Sequence, residues 1–536
     1  MRDGTGTVTV FEPSPQLWRG RPYGPDLDTV LVNTPPALMS IRDGDFGHYA
    51  RWLGARAAEH VDVMLGQPLV PRALYGEYLA HTAEKAVARL GERGRLVRVV
   101  PARVTGAVAR GSRLVLRTHD GQDHEATHVA LCVGGGTPPD PYGLAGGPGY
   151  TGDPYPLADT LEHVPAEGEV AIVGSGLTAV DVVVSLAARG HRGPVTLVSR
   201  SGVLPYVWQR PDGRRPRQVT AARVAELHRT RGSVTFGDLV GLLRAELAEA
   251  GEDFDELAAE LRGTGSADPL ERLRRQIAAV DDPRIGRRVL QETAHSVGPY
   301  AWRLLPESDR AWLRRHLRTV TSVVSPMVPV NASVLLRLLD SGQLTVVAGV
   351  DAVERVDGRF RIRYGGGERT AQTVVNAVNA PPQAVPARAR DLVRSLTGAG
   401  LATLHPSGGL VPADPRVHVV GDLTGGGSYV TSSIAGVAAL AGRAAKAAPL
   451  GLTGPAARGC RAGGLPGKAP GPRVPCPSGA LPASPAGVPG RAAAGRRPGG
   501  VRGSWIRTTR GRTASGARRR PGGAAGRPRS PARSTS

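Results

Sequence analysis

Glu169-Val-Ala-Ile-Val-Gly-Ser-Gly-Leu-Thr-Ala-Val-Asp-Val-Val-Val-Ser-Leu-Ala-Ala-Arg-Gly-His-Arg-Gly-Pro-Val-Thr-Leu-Val-Ser-Arg-Ser-Gly202 decides the fold. Val170 to Val173 is a short apolar run of the kind that forms a strand buried on both faces of a parallel sheet. Gly174, Gly176 and Ala179 follow at the spacing of a dinucleotide-binding turn. The first glycine permits the bend and the second lets the backbone approach a pyrophosphate. Ala179 is small enough at the third position for the following helix to lie close on the sheet. Thr178 to Arg189 reads as that helix, and Pro194 to Val198 as the next strand. The whole is a βαβ unit.

An ordinary βαβ unit with a glycine turn and no ligand is the alternative. Strand, helix and second strand in register favour a cofactor, with Gly174, Ser175, Gly176, Leu177 and Thr178 as its binding residues and the helix N–H groups facing its phosphates. The second strand ends in Val198-Ser-Arg200 instead of a carboxylate, which would bind an unphosphorylated ribose. The hydroxyl of Ser199 and the guanidinium of Arg200 suit a 2′-phosphate, so NADPH is expected before NADH.

Outward from this unit, 536 residues suffice for two or three domains, and 40% apolar content supports substantial cores. The net charge of +22 is unevenly placed. Residues 451–536 hold 17 Arg plus Lys and no acid, which leaves 51 basic against 46 acidic side chains before them. That stretch is Gly, Pro, Ala, Ser and Arg with almost nothing to bury, so it is expected to be a disordered tail. Trp505 is its lone aromatic, and no specific nucleic-acid partner follows from charge alone. A GC-rich gene read in a shifted frame would produce the same composition. Cys132, Cys460 and Cys476 stand far apart, so no metal site or redox disulfide is read, and Cys132 is expected to pack within a strand. No apolar run approaches ~20 residues and no signal-peptide pattern opens the chain, so a soluble cytoplasmic protein without membrane contact is expected.

Thr7 to Phe11 reads as a strand, and Glu12 at its end sits where a dinucleotide fold presents its ribose-binding carboxylate. The glycine turn that should lie about 20 residues earlier is not in the sequence, and the expectation is that the start of the chain has been lost. Leu96 to Val100, Val104 to Val108 and Arg113 to Arg117 are short strands, and His128 to Val133 exits into Gly134-Gly-Gly-Thr-Pro-Pro139. Gln343 to Ala348, Ala352 to Val356 and Arg359 to Tyr364 repeat that order, and Thr373 to Asn379 exits into Ala380-Pro-Pro382. Two such units imply two Rossmann-like domains.

With Val10-Phe-Glu-Pro13, Gly20 to Gly24, Val32-Asn-Thr-Pro-Pro36, Pro71-Arg72, Tyr75-Gly76, Leu197-Val-Ser-Arg200, Leu204-Pro205 and Gly421-Asp422, the chain resembles a flavoprotein family. Bacterial FAD-dependent urate hydroxylase and aspartate N-monooxygenase typify that family, which is similar to the class B monooxygenases. The resemblance implies FAD beside Glu12, Arg72 and the Gly134 exit, and a C-terminal flavin motif at Gly421 and Asp422, followed by Tyr429 and a helix. The aspartate there would receive hydrogen bonds from the ribityl chain.

The expected architecture is α/β, with two Rossmann-like three-layer dinucleotide-binding domains. Residues 1–165 would form an N-terminally incomplete FAD domain. Residues 166–385 would form the NAD(P)H domain with a helical insertion at about 210–320, 386–448 a return to the FAD domain, and 449–536 the disordered tail. Helical spacing is read at Phe236–Ala250, Phe254–Arg262, Pro269–Ala279 and Asp309–Leu317. His295, Tyr300, Trp302, Trp312 and His316 are the insertion's polar and aromatic candidates, each weighed against simple packing. The expected activity is an FAD- and NADPH-dependent monooxygenase acting on a small polar metabolite with O₂. A flavin reductase without oxygen insertion and a non-catalytic nucleotide-binding remnant are the alternatives. No catalytic side chain is assigned, because the cofactors carry most of the chemistry.

Overall fold

Val170–Val173 (β8) and Val195–Val198 (β9) are buried at every residue. They form the centre of a five-stranded sheet made of Leu344–Val347 (β10), β9, β8, Thr373–Asn376 (β14) and Tyr150–Thr151 (β7), in that order and all parallel. The computed structural model describes residues 6–265, 268–427 and 433–447, all in one unit spanning residues 1–458. The basic tail and Tyr429 lie outside the described residues. Among the described residues no helix is long and apolar enough to cross a membrane.

The helix after the glycine turn, Leu177–Ala188 (α2), is apolar all round and buried from Thr178 to Leu186. Valines lower its intrinsic helix propensity, and burial overrides that cost. One face packs on β8 and β9 through Val180, Val183 and Val184. The core continues through Ala332, Leu335 and Leu338 of Pro329–Asp340 (α11). The opposite face of the sheet is closed by a three-stranded antiparallel meander, Val350–Val356 (β11), Arg359–Tyr364 (β12) and Gly367–Ala371 (β13). Phe360 and Ile362 reach down from it onto Ala171, Val173 and Val198. Helix, sheet and meander make three layers.

The N-terminal half repeats the plan with less cover. Thr7–Phe11 (β1) pairs in parallel with Leu96–Val100 (β2), which follows the long helix Arg72–Glu92 (α1). A second meander, Val104–Arg110 (β3), Arg113–Thr118 (β4) and Asp123–Ala126 (β5), leads to Val129–Leu131 (β6). Ala402–Leu404 (β15) and Leu410–Pro412 (β16) form an antiparallel pair, and Val417–Val419 (β17) pairs with β6 in parallel. Arg390–Gly398 (α12) docks on β3, where Ser395 Oγ accepts from the N–H of Ala107 and donates to its carbonyl. In both meanders the sequence shows two strands and the structure three, because β5 and β13 are polar and mostly exposed. Cys132 follows the last residue of β6 and is exposed, which corrects the expectation that it packs inside the strand.

Between β9 and β10 the chain forms nine helices among the described residues. Ala221–Arg231 (α3), Phe236–Glu249 (α4), Phe254–Arg262 (α5) and Pro269–Ala278 (α6) each begin on a side-chain cap, from Thr220, Thr235, Asp253 and Asp268. Gly286–Ser296 (α7), Gly298–Leu304 (α8), Glu307–Arg315 (α9), Leu317–Val324 (α10) and α11 follow. The helical spacing found α4, α5, α6 and α9 and missed the others, whose apolar stripes are short or broken by arginines.

Candidate dinucleotide-binding site

Gly174 ends β8 with φ +121°, a conformation that side chains other than hydrogen rarely adopt. A Cβ there would also stand 3.0 Å from the carbonyl oxygen of Ala377 at the end of β14. Glycine is required on both counts. Gly176 then serves as the extended residue before α2, and no side chain caps that helix. Unlike α3 to α6, its first N–H groups are left to another acceptor, and the helix dipole favours an anion there. Thr178 Oγ1 donates to Asn379 Oδ1 at 3.3 Å, which ties the helix start to the exit of β14.

Ser175 is almost fully buried, and its hydroxyl is committed to protein. It donates to the carbonyl of Val203 at 2.9 Å and lies 3.1 Å from Ser199 Oγ, which in turn accepts from the N–H of Gly202 at 3.0 Å. Both serines therefore brace the turn, and what they offer a ligand is backbone. Arg200 is exposed and joins no ion pair among the described residues. A residue absent from the sequence reading joins it here. Arg318 Nη2 donates to Ser175 Oγ at 2.7 Å and to the carbonyl of Val203. No spacing rule connects residue 318 to residue 175, so nothing in the sequence pointed to it.

On the other side, the two sheet exits meet. A Cβ on Gly136 would fall 2.7 Å from that of Ala380 and 2.8 Å from that of Ala384, so the Gly134 loop lies flat on the loop after β14. Gly134 itself has φ +75° with open space around it. Asp422 stands beside this junction: its Oδ2 lies 3.6 Å from the Cβ position of Gly135, and its Oδ1 accepts from the N–H of Gln383 at 3.4 Å. Gly421, with φ +96°, sets the turn that points Asp422 there. Glu12 ends β1 partly exposed, with Oε1 accepting from the N–H of Ser14 at 2.9 Å.

Arg72 is differently employed. Its guanidinium donates to Asp181 Oδ2 at 2.6 Å, to Tyr155 at 3.1 Å and to the carbonyl of Leu31 at 3.0 Å. Asp181 is the one acid of apolar α2 and is fully buried, so it requires a cation. This engagement makes Arg72 a brace between α1 and α2 instead of a side chain presented to a ligand. Gly76, one turn further along α1, leaves room for the carbonyl of Tyr23, which a Cβ would strike at 2.0 Å.

The insertion's candidates scatter. His295 Nε2 donates to the carbonyl of Val324 at 2.7 Å and is buried, which pulls its pKa down. Trp312 and His316 stack on each other at the surface, 4.1 Å apart. Trp302 reaches the C-terminal motif, donating from Nε1 to the carbonyl of Gly426 at 3.0 Å, and the His295 carbonyl accepts from Ser433 Oγ at 3.2 Å. A cavity of about 560 Å³ within the insertion is lined by Glu256, Glu260, Arg284 and Arg287 among others, and these four face one another in pairs.

Residues 2–136 match the FAD-NAD(P)-binding family. An uncharacterised protein of Mycobacterium tuberculosis is 26% identical over 291 residues, 46% of this chain and 54% of its own length, and one from Mycobacterium bovis matches to the same extent. The chain spans about half the length of the curated relatives it matches. Among solved structures, L-lysine 6-monooxygenase from Pseudomonas syringae is 16% identical, with 82% of this chain and 90% of that one covered and a TM-score of 0.47. The FAD-bound cadaverine monooxygenase of Erwinia amylovora is 11% identical, with 82% and 87% covered and a TM-score of 0.46. The layered parallel sheet and the glycine turn make a Rossmann-like fold, and the similarity to FAD-NAD(P)-binding proteins is carried by residues 2–136.

Proposed function

We propose that the chain is an NADPH-dependent flavin oxidoreductase of the monooxygenase type, acting on a small polar metabolite with O₂. The observation that carries this reading is the junction of the Gly134 loop, the loop after β14 and Asp422, because it brings the exits of both halves to one point. The residues fit the two groups unequally. On the nicotinamide side, Gly174, the uncapped start of α2, Arg200 and Arg318 offer backbone N–H groups and positive charge to a phosphorylated dinucleotide. On the flavin side, Glu12 would hold the ribose, Gly134 to Gly136 would let a ring or pyrophosphate lie against bare backbone, and Asp422 would accept from the ribityl hydroxyls.

When bound, FAD supplies the two-electron chemistry that links a nicotinamide hydride to oxygen. The chain's own part is to bind, orient and exclude water. Asp422 accepts and holds a hydroxyl chain, Gln383 fixes that carboxylate, and Trp302 fastens the insertion over Gly426. The domains drawn above, with a nicotinamide half and a flavin half joined again by the C-terminal return, belong to the same proposal.

A second reading, a nicotinamide-nucleotide binder that holds no flavin, is favoured by one observation. On the Glu12 side the parallel strands form two separate pairs, β1 with β2 and β6 with β17. Purified chain mixed with FAD and then dialysed separates the two. Retained yellow flavin that is bleached by NADPH without air, and O₂ uptake that rises with added substrate, are the expected results. Colourless protein that still binds NADP⁺ would establish the second reading, and bleaching without substrate-dependent O₂ uptake would make it a reductase.

A further inference from the structure

Arg318 begins α10, far along the chain from the glycine turn, yet its side chain ends on that turn. Nη2 is anchored by Ser175 Oγ at 2.7 Å and by the carbonyl of Val203. The anchor is itself held. Ser175 donates its single O–H to Val203, so its lone pairs accept from Arg318 and from Ser199, whose own oxygen accepts from Gly202. Nη1 and Nε have no protein partner among the described residues, and Nη1 lies 3.3 Å from where a Cβ of Gly176 would be. That position is directly over the uncapped start of α2.

The charge around it is one-sided. Burial of its head first, then the charges of Arg272 and Arg200, disfavour its protonation, and among the described residues no carboxylate offsets them. Arg272 is buried and donates to the carbonyls of Thr264 and Leu204, and Arg200 is exposed at the end of β9. Three guanidiniums gathered without an acid repel one another, and a bound polyanion relieves that repulsion. The residue as a whole is exposed, although its head is tucked against the turn, so a ligand can reach it.

We propose that Arg318 is a pyrophosphate-binding residue contributed by the helical insertion, gripping the bridge of the nicotinamide dinucleotide over Gly176 while Arg200 takes the 2′-phosphate. The inference rests on the reading of the Gly174 turn as a nicotinamide-nucleotide site. It divides the labour of the two arginines by the part of the ligand each meets. The pyrophosphate is common to NAD⁺ and NADP⁺, and the 2′-phosphate belongs to NADP⁺ alone. It also gives the insertion a role, since α10 sets a cation on the turn.

Titration calorimetry of the full chain with NAD⁺ and with NADP⁺ tests this without turnover. Arg318→Gln is expected to weaken both nucleotides by the same factor, at least about tenfold for a charge-assisted contact, with Arg318→Lys recovering part of each loss. Arg200→Gln is expected to weaken NADP⁺ and leave NAD⁺ unchanged. A loss in Arg318→Gln confined to NADP⁺ would overturn the assignment to the pyrophosphate. Unchanged affinity with a lowered melting temperature would reduce Arg318 to a brace of the Val203 loop and overturn it too. If the unaltered chain binds neither nucleotide, the reading of the Gly174 turn fails and takes the Arg318 proposal with it. That outcome is distinct from one in which only the variant is silent.

Discussion

Two of the parallel sheets of this chain, the five-stranded one and the β1 and β2 pair, use similar residues and end in different states. In the five-stranded sheet, β8 and β9 are buried at every position, with α2 on one face and the β11–β13 meander on the other. In the β1 and β2 pair no residue is buried, and Leu96 and Val99 are 62% and 42% exposed. Valine-rich strands thus do not by themselves make a core. Cover on both faces does, and α2 and the β11–β13 meander supply it to the five-stranded sheet.

The largest test of this contrast is the link between its two halves. Asp181→Ala strands the Arg72 guanidinium without its carboxylate and is expected to cost about 3–5 kcal/mol in urea unfolding. The protection of Thr7–Phe11 amides against hydrogen exchange should fall before that of Val170–Val173. Simultaneous loss would show that the halves unfold as one.

Truncation within the strands sharpens the comparison next. Ile172→Ala, at a fully buried site of β8, should cost about 2–5 kcal/mol, while Leu96→Ala on β2 should stay within about 0.5 kcal/mol. Equal costs would break it. Gly174→Ala follows: the forced φ and the contact with Ala377 should cost about 1–3 kcal/mol and lower NADP⁺ affinity in calorimetry, leaving any flavin retention intact.

The smallest effect is electrostatic. Burial, then the nearby charge of Asp212, pushes the Glu292 carboxyl up to about 7, with Arg288 opposing them. The folded chain therefore holds that proton more tightly than the unfolded one. Its contribution to stability is full below the unfolded carboxylate value and is lost as pH rises through about 7. Glu292→Gln should flatten this decline, so thermal melts at pH 5 and pH 8 should differ less in the variant than in the unaltered chain.

The regular parts of the fold were legible because period and punctuation coincide. The β8–α2–β9 unit carries its glycine turn at a fixed offset, and the strands of both halves fall within a few residues of where alternation and turns put them. What escaped had no local signature. The strands β5 and β13 are polar edges whose place is fixed by pairing with a neighbour. Helices α7 and α10 carry arginines or hydroxyls where an apolar stripe was sought. Arg72 reads equally well as a ligand or as a brace until Asp181 is seen opposite it. Arg318 meets Ser175 only after the seven helices α3 to α9 have folded back, a proximity that no window along the chain contains.

The pairing of β6 with β17 has a consequence for synthesis. Val129 finds its partner in Val417, so a strand made early waits on the ribosome until almost all of the described chain has emerged. Contacts that distant form slowly, and in the interval the edge of β6 is open to any other extended peptide. A nascent chain of this design needs a chaperone most while the insertion is being translated, which ribosome-bound pulse-proteolysis at successive lengths would reveal as a window of sensitivity closing past residue 419.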